Sequence, residues 1–207
     1  KADFIYPYNH HSNIVKHRHK LKFFSPQFAH QNPGDDIIIM DIDQVIVSNV
    51  DDLLNWPVEE NELVTYGQWW ENKLGINGGF YKFKSGSLDF VWDDFIRNPE
   101  YWQTKWYKDD VVHYEYYGEQ NYVNWKVVWD KRNKQTKITK TPEKWIAKYH
   151  GGEDDFYKNF LLTKKYCEKF DADYMILDDV NPDIKVVHML GPDNTIHNTG
   201  WVKDYWK

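Results

Sequence analysis

A chain of 207 residues, 41% hydrophobic and 28% charged, carries enough apolar side chains to bury a core, which excludes disordered and fibrous classes. Its net charge of −6 argues against a general nucleic-acid binder, whose footprint is basic, and no apolar run reaches the ~20 residues of a membrane span. One cysteine, Cys167, excludes an internal disulfide framework and a cysteine-rich zinc site, and fits a reducing, cytoplasmic setting.

The first 35 residues are polar and rich in histidine (His10, His11, His17, His19), a scatter that reads as surface before it reads as metal binding. Asn32-Pro33-Gly34-Asp35-Asp36 is turn-like and launches Ile37-Ile38-Ile39-Met40, a β-branched run that predicts a strand buried on both faces. Such strands belong to α/β sheets flanked by helices. Val45-Ile46-Val47 resumes the apolar character, and Asp51-Asp52-Leu53-Leu54 opens a short helix that Trp56-Pro57 stops. Leu63 to Tyr66 is a second strand, and Gly75-Ile76-Asn77-Gly78-Gly79 a loop entering an alternating strand at Phe80. Ser87 is placed to cap a helix over 88–96, with apolar residues at 88, 91, 92, 95 and 96 and Pro99 closing it. Glu119 to Trp129 is mostly helical, basic residues dominate 131–148, and a helix follows near 156–170. Pro182 to His188 is a last strand ending on the histidine. With no repeat, low-complexity tract or linker, residues 1–207 read as one domain.

Four segments carry chemistry. Asp41-Ile42-Asp43 follows the buried strand, where residues two apart in an extended chain share a side and two carboxylates can converge on a cation. The same pair also reads as solvated turn aspartates. The glycines around Asn77 let backbone approach a ligand, or simply link two strands. Glu119-Gln120 follows Gly118 at a helix start, where an acid also favours the helix dipole. His188 adds a borderline nitrogen that suits manganese beside carboxylates, although a lone histidine is commonly structural.

Taken in order, these segments resemble the retaining glycosyltransferases of the GT-A fold that include glycogenin and the bacterial lipopolysaccharide galactosyl- and glucosyltransferases. Lys20-Leu21-Lys22 before the strand, Asp41-Ile42-Asp43-Gln44, Asn77-Gly78-Gly79, Glu119-Gln120 and His188-Met189-Leu190-Gly191 carry the likeness, over residues ~16–207. It implies a single α/β domain of GT-A type, Rossmann-like, with a mostly parallel sheet flanked by helices and a shortened N-terminal nucleotide-binding part. It implies that Asp41, Asp43 and His188 hold Mn²⁺ or Mg²⁺ against the diphosphate of a nucleotide sugar, a UDP-hexose, for transfer to a glycan or glycoprotein acceptor with retention. Lys20, Ile42, Asn77, Gly78, Gly79, Gly191 and Asn194 would bind the donor. Glu119 would hold the sugar's hydroxyls, and Gln120 would lie near the anomeric carbon, where an amide favours front-face attack by the acceptor over a covalent intermediate.

The chain departs from that pattern in three places. Glu119 stands where the group has Asp, Asn194 stands near where it has Lys, and only 40 residues precede Asp41. The last feature fits a compact viral or phage member working in the host cytoplasm. Other readings of the same residues are a metal-dependent nucleotide-sugar phosphohydrolase or nucleotidyltransferase, and a non-catalytic carbohydrate or nucleotide-sugar-binding module. The basic run (Lys131, Arg132, Lys134, Lys137, Lys140, Lys144, Lys148) reads as a solvated face, or as a surface for an anionic acceptor. Trp69-Trp70 and Trp102 to Trp106 would be sugar-stacking platforms if exposed and core if buried.

Overall fold

The structure is a computed structural model, and it describes residues 11–67, 76–108, 118–130, 136–150, 175–176, 179–180, 183–190 and 202–205. Gly191, Asn194, Trp69, Trp70, Cys167 and the helix expected near 156–170 lie outside them, as do Lys131, Arg132 and Lys134. The chain is mixed α/β. Strands β1 (Asp36–Met40), β2 (Gln44–Ile46), β3 (Glu62–Thr65), β4 (Phe80–Lys84), β5 (Lys137–Lys140), β6 (Ile146–His150), β7 (Met175–Ile176), β8 (Asp179–Val180) and β9 (Val186–Leu190) accompany helices α1 (Asp51–Leu54), α2 (Phe90–Arg97), α3 (Pro99–Lys108), α4 (Glu119–Asn124) and α5 (Val202–Tyr205). No helix among the described residues is long and apolar enough to cross a membrane.

The sheets run β1-β4-β3-β5, β2-β9-β6 and β7-β8. Their strands are not mostly parallel, as expected from the sequence, but mixed. Backbone bonds Gly34 N to Ser85 O and Asp41 N to Gly79 O put β4 antiparallel to β1, whereas Lys137 N to Asn61 O and Thr141 N to Thr65 O put β5 parallel to β3. β2 is antiparallel and β6 parallel to β9. β1 is an edge strand with only Ile39 buried, so its apolar run does not make it the doubly covered strand that the sequence suggests. That place belongs to β3, whose four residues are all buried, and to β4.

Two compact units divide the chain. The first takes residues 1–37, 58–63 and 82–138. Its core gathers Leu21, Phe24, Phe83, Leu88, Val91, Phe95, Tyr122 and Val123. Phe24 stacks on Phe83 at 4.5 Å, and the Tyr122 hydroxyl donates to the Val91 carbonyl at 2.8 Å, tying α4 to α2. The expected helix over 88–96 forms as α2, but Ser87 does not cap it. Its hydroxyl donates to the Lys84 carbonyl in the turn after β4, and the N-cap is Asp89. Pro99 opens α3 instead of merely closing α2, in keeping with proline's preference for the first helical turn. α4 widens into a π-helical turn over Trp125–Trp129.

The second unit takes residues 38–57, 64–81 and 139–207. Val45, Leu53, Tyr66, Ile76, Phe80, Ile146, Ile184, Val186, Val187 and Met189 fill it. It carries the β2-β9-β6 sheet and the candidate metal centre.

Candidate metal centre and donor-binding residues

Asp41 and Asp43 converge, though not as an extended segment would bring them together. Residues 41–43 form a turn between β1 and β2 with Ile42 at its tip, 95% exposed. Backbone bonds pin both ends of that turn. The Asp41 N–H donates to the Gly79 carbonyl at 3.1 Å, and the Asp43 carbonyl accepts from Met189 N–H at 2.8 Å. One residue on, β2 pairs with β9 in the register Gln44 opposite His188. This register sets His188 beside the turn that carries Asp43, and His188 Nε2 lies 3.4 Å from Asp43 Oδ2. His188 therefore lies within β9, not at its end.

One ligand atom from each of Asp41, Asp43 and His188 lies within 4.8 Å of the others, the one such group of three among the described residues. His188 is buried, Asp41 half-buried, and the Asp43 side chain 49% exposed. Two carboxylates and an imidazole form a hard-to-borderline donor set that fits Mn²⁺ or Mg²⁺, with the exposed Asp43 side leaving access for a ligand.

The Asn77 loop packs directly on this group. Thr65 Oγ1 donates to the Asn77 carbonyl at 2.7 Å and accepts from Asn77 N–H at 3.0 Å, so β3 holds the loop from both sides. Asn77 Oδ1 accepts from Gly79 N–H at 2.8 Å, which orients the amide. Its Nδ2 is buried with no hydrogen-bond partner among the described residues, and a buried donor in that state calls for a ligand or water. Gly78 and Gly79 are buried too. A Cβ on Gly79 would sit 2.6 Å from Gln44 Nε2 and 3.3 Å from His188 Cε1, so any side chain there would displace the Gln44 amide. Gln44 Nε2 donates to the Gly79 carbonyl at 2.8 Å, and Tyr66 Oη donates to Gln44 Oε1 at 3.0 Å. Burial, with the Asp41 charge adding to it, pushes the Tyr66 phenol far above its ordinary value.

Glu119, Gln120 and Lys20 belong to the first unit. Glu119 is buried at the start of α4, with Lys20 Nζ at 3.5 Å and His17 Nε2 at 3.8 Å. Gly118 makes room for that histidine, since a Cβ there would stand 3.1 Å from His17 Nε2. Gln120 is half-buried beside it. Of the basic run, the exposed Lys137 reaches Glu62 and Glu59, and Lys144 reaches Asp183, so these two lysines are solvated and partly neutralised. Trp102 is no exposed platform. Its indole N–H donates to the Asp94 carbonyl, and its rings lie against Tyr122 and Trp125.

Sequence reasoning missed Gln44, Tyr66, Thr65 and His17. The first carried a legible signal, because it directly follows the aspartate pair at the start of a strand. The other three have none without the pairing of distant segments.

No family model matches the sequence, and no curated protein matches it. Among solved structures the chain is similar to the glycosyltransferase GlyE of Streptococcus pneumoniae TIGR4, with a TM-score of 0.49 and 17% identity, over 89% of this chain and 41% of that one. The chain thus spans less than half the length of that protein.

Proposed function

We propose that the chain is a metal-dependent glycosyltransferase of GT-A type that moves a hexose from a UDP-sugar to a glycan or protein acceptor, with retention. The observation that carries this reading is the convergence of Asp41, Asp43 and His188 within 4.8 Å. Two further features support it: the adjacent Asn77 amide offers a buried, uncommitted N–H, and the motif order matches the family resemblance. In this reading Asp41, Asp43 and His188 hold Mn²⁺ or Mg²⁺. When bound, the cation supplies positive charge against the diphosphate as the leaving group gains negative charge.

The chain's own residues do the rest. Asn77 Nδ2 donates to a donor-sugar hydroxyl, while the Glu119 carboxylate accepts from others and Lys20 steadies phosphate charge. Gln120 offers an amide, too weak a nucleophile for a covalent sugar intermediate. The acceptor hydroxyl therefore attacks the anomeric carbon as the bond from that carbon to the phosphate oxygen breaks. Its proton passes to the leaving diphosphate, and the products are nucleoside diphosphate and glycoside. Gly191 and Asn194 complete the donor site in this proposal.

The test is a calorimetric titration with UDP-glucose, UDP-galactose and a GDP-sugar, each with and without Mn²⁺. Binding of one donor that needs Mn²⁺ and disappears in Asp43→Ala is expected, with nucleoside diphosphate as product. Sugar binding indifferent to EDTA and to Asp43→Ala would replace the enzyme with a binding module. Release of nucleoside monophosphate and sugar phosphate would replace transfer with phosphohydrolysis.

A further inference from the structure

We propose that Gln44 and Tyr66 are positioning residues for the metal centre, a two-link hydrogen-bond chain that fixes Gly79 and, through it, both Asp41 and the Asn77 amide. The inference rests on the metal-centre reading above and goes beyond it, since neither residue is a ligand. The Gly79 carbonyl can only accept, so the Gln44 end facing it at 2.8 Å must be the NH₂. That leaves Oε1 for Tyr66, whose hydroxyl at 3.0 Å must be the donor. The direction of each bond is thus forced by the peptide carbonyl at the end of the chain.

The same Gly79 carbonyl accepts Asp41 N–H at 3.1 Å, and Gly79 N–H is held by Asn77 Oδ1. One glycine therefore ties a metal-ligand backbone to the amide with the uncommitted N–H. Tyr66 is fully buried and stacks on Phe80 at 4.9 Å, which anchors the far end of the chain in the core. Gln44 pairs with His188 across β2 and β9, so the amide lies beside the third ligand as well. Without the Tyr66 donor, the Gln44 amide keeps its bond to Gly79 but loses its tie to the core, so the Gly79 carbonyl that also accepts from Asp41 is held less rigidly.

The probe is Mn²⁺ alone, titrated into the full chain and followed by the electron paramagnetic resonance of the free ion, so that no donor or acceptor is needed. Groups that orient metal ligands from behind cost about 10- to 100-fold in affinity when removed. Acting one step further back, Tyr66→Phe and Gln44→Met should each weaken Mn²⁺ binding by about tenfold. The double variant should weaken it no further than Gln44→Met does, because the two links act in series. Leu53→Ala, which truncates a buried side chain of α1 that takes no part in the hydrogen-bond chain, should lower the melting temperature in EDTA and leave Mn²⁺ affinity unchanged.

Wild type that binds Mn²⁺, with Asp43→Ala abolishing binding and both Tyr66→Phe and Gln44→Met binding within about twofold of wild type, would overturn the positioning role and leave the metal centre standing. A loss in Leu53→Ala as large as in Tyr66→Phe would overturn it as well, since affinity would then merely follow stability. Wild type that binds no Mn²⁺ would remove the centre and the positioning role together.

Discussion

Asn77 concentrates the functional argument in one side chain. Its oxygen is spent on Gly79 N–H, and its nitrogen is buried without a partner among the described residues. Asn77→Asp keeps an acceptor for Gly79, removes the donor and adds a buried negative charge. Donor-sugar affinity should then fall by at least about tenfold, the worth of the lost hydrogen bond of roughly 1–1.5 kcal/mol, as read by calorimetry. Lys126 makes a different point at the same scale. Its ammonium is fully buried between Asp94 and Asp130, with the Trp102, Trp125 and Phe90 rings at 5.7, 5.6 and 5.9 Å. Lys126→Met leaves the buried Asp130 carboxylate without its ammonium and should cost about 3–5 kcal/mol, measured by urea unfolding. The sequence gives no hint of this, because a lysine in a helical run normally faces water.

Among the elements, the β4 entrance and the β1 edge are the sensitive ones. Gly79→Ala would place a Cβ 2.6 Å from Gln44 Nε2 and 3.2 Å from Asn77 Oδ1. Relieving that overlap moves the very groups that hold the site, so both a stability loss of about 1–3 kcal/mol and a weaker response to Mn²⁺ are expected in thermal melts. At the edge, Asp36 bridges to Lys82 at 2.9 Å and to Lys84, both on β4. Burial alone raises the Asp36 pKa, but the two lysines outweigh it and hold the carboxyl below its ordinary 3.8. A depressed folded pKa stabilises above the unfolded value and loses that contribution as pH falls through the folded one. Below about pH 4, wild type should therefore lose melting temperature faster than Asp36→Asn, whose side chain does not titrate.

For the whole molecule, metal linkage is the most direct expectation. A cation that binds only the folded chain stabilises it by about 2.7 kcal/mol at a concentration a hundred times its Kd. Mn²⁺ should raise the melting temperature of wild type and not that of Asp43→Ala. How far the sequence reaches varies by element. The apolar run 37–40 does become β1, three residues of the run 63–66 lie in β3, and the 3.6-residue spacing after Ser87 does become α2. The degree of burial did not follow from those runs, since Ile37 and Ile38 are only half-buried on an edge strand while polar-flanked β3 is covered. Burial depends on neighbours that a local pattern does not name. The candidate site divides in the same way. By itself the sequence determined which side chains were available (two aspartates two apart, an asparagine among glycines, a histidine in a final strand), because residue chemistry and turn propensity are local. Only the tertiary structure decided that His188 meets Asp43, and that Gln44 and Tyr66 stand behind them. That meeting rests on the register of β2 against β9, and a slip of one residue would turn His188 to the other face of the sheet.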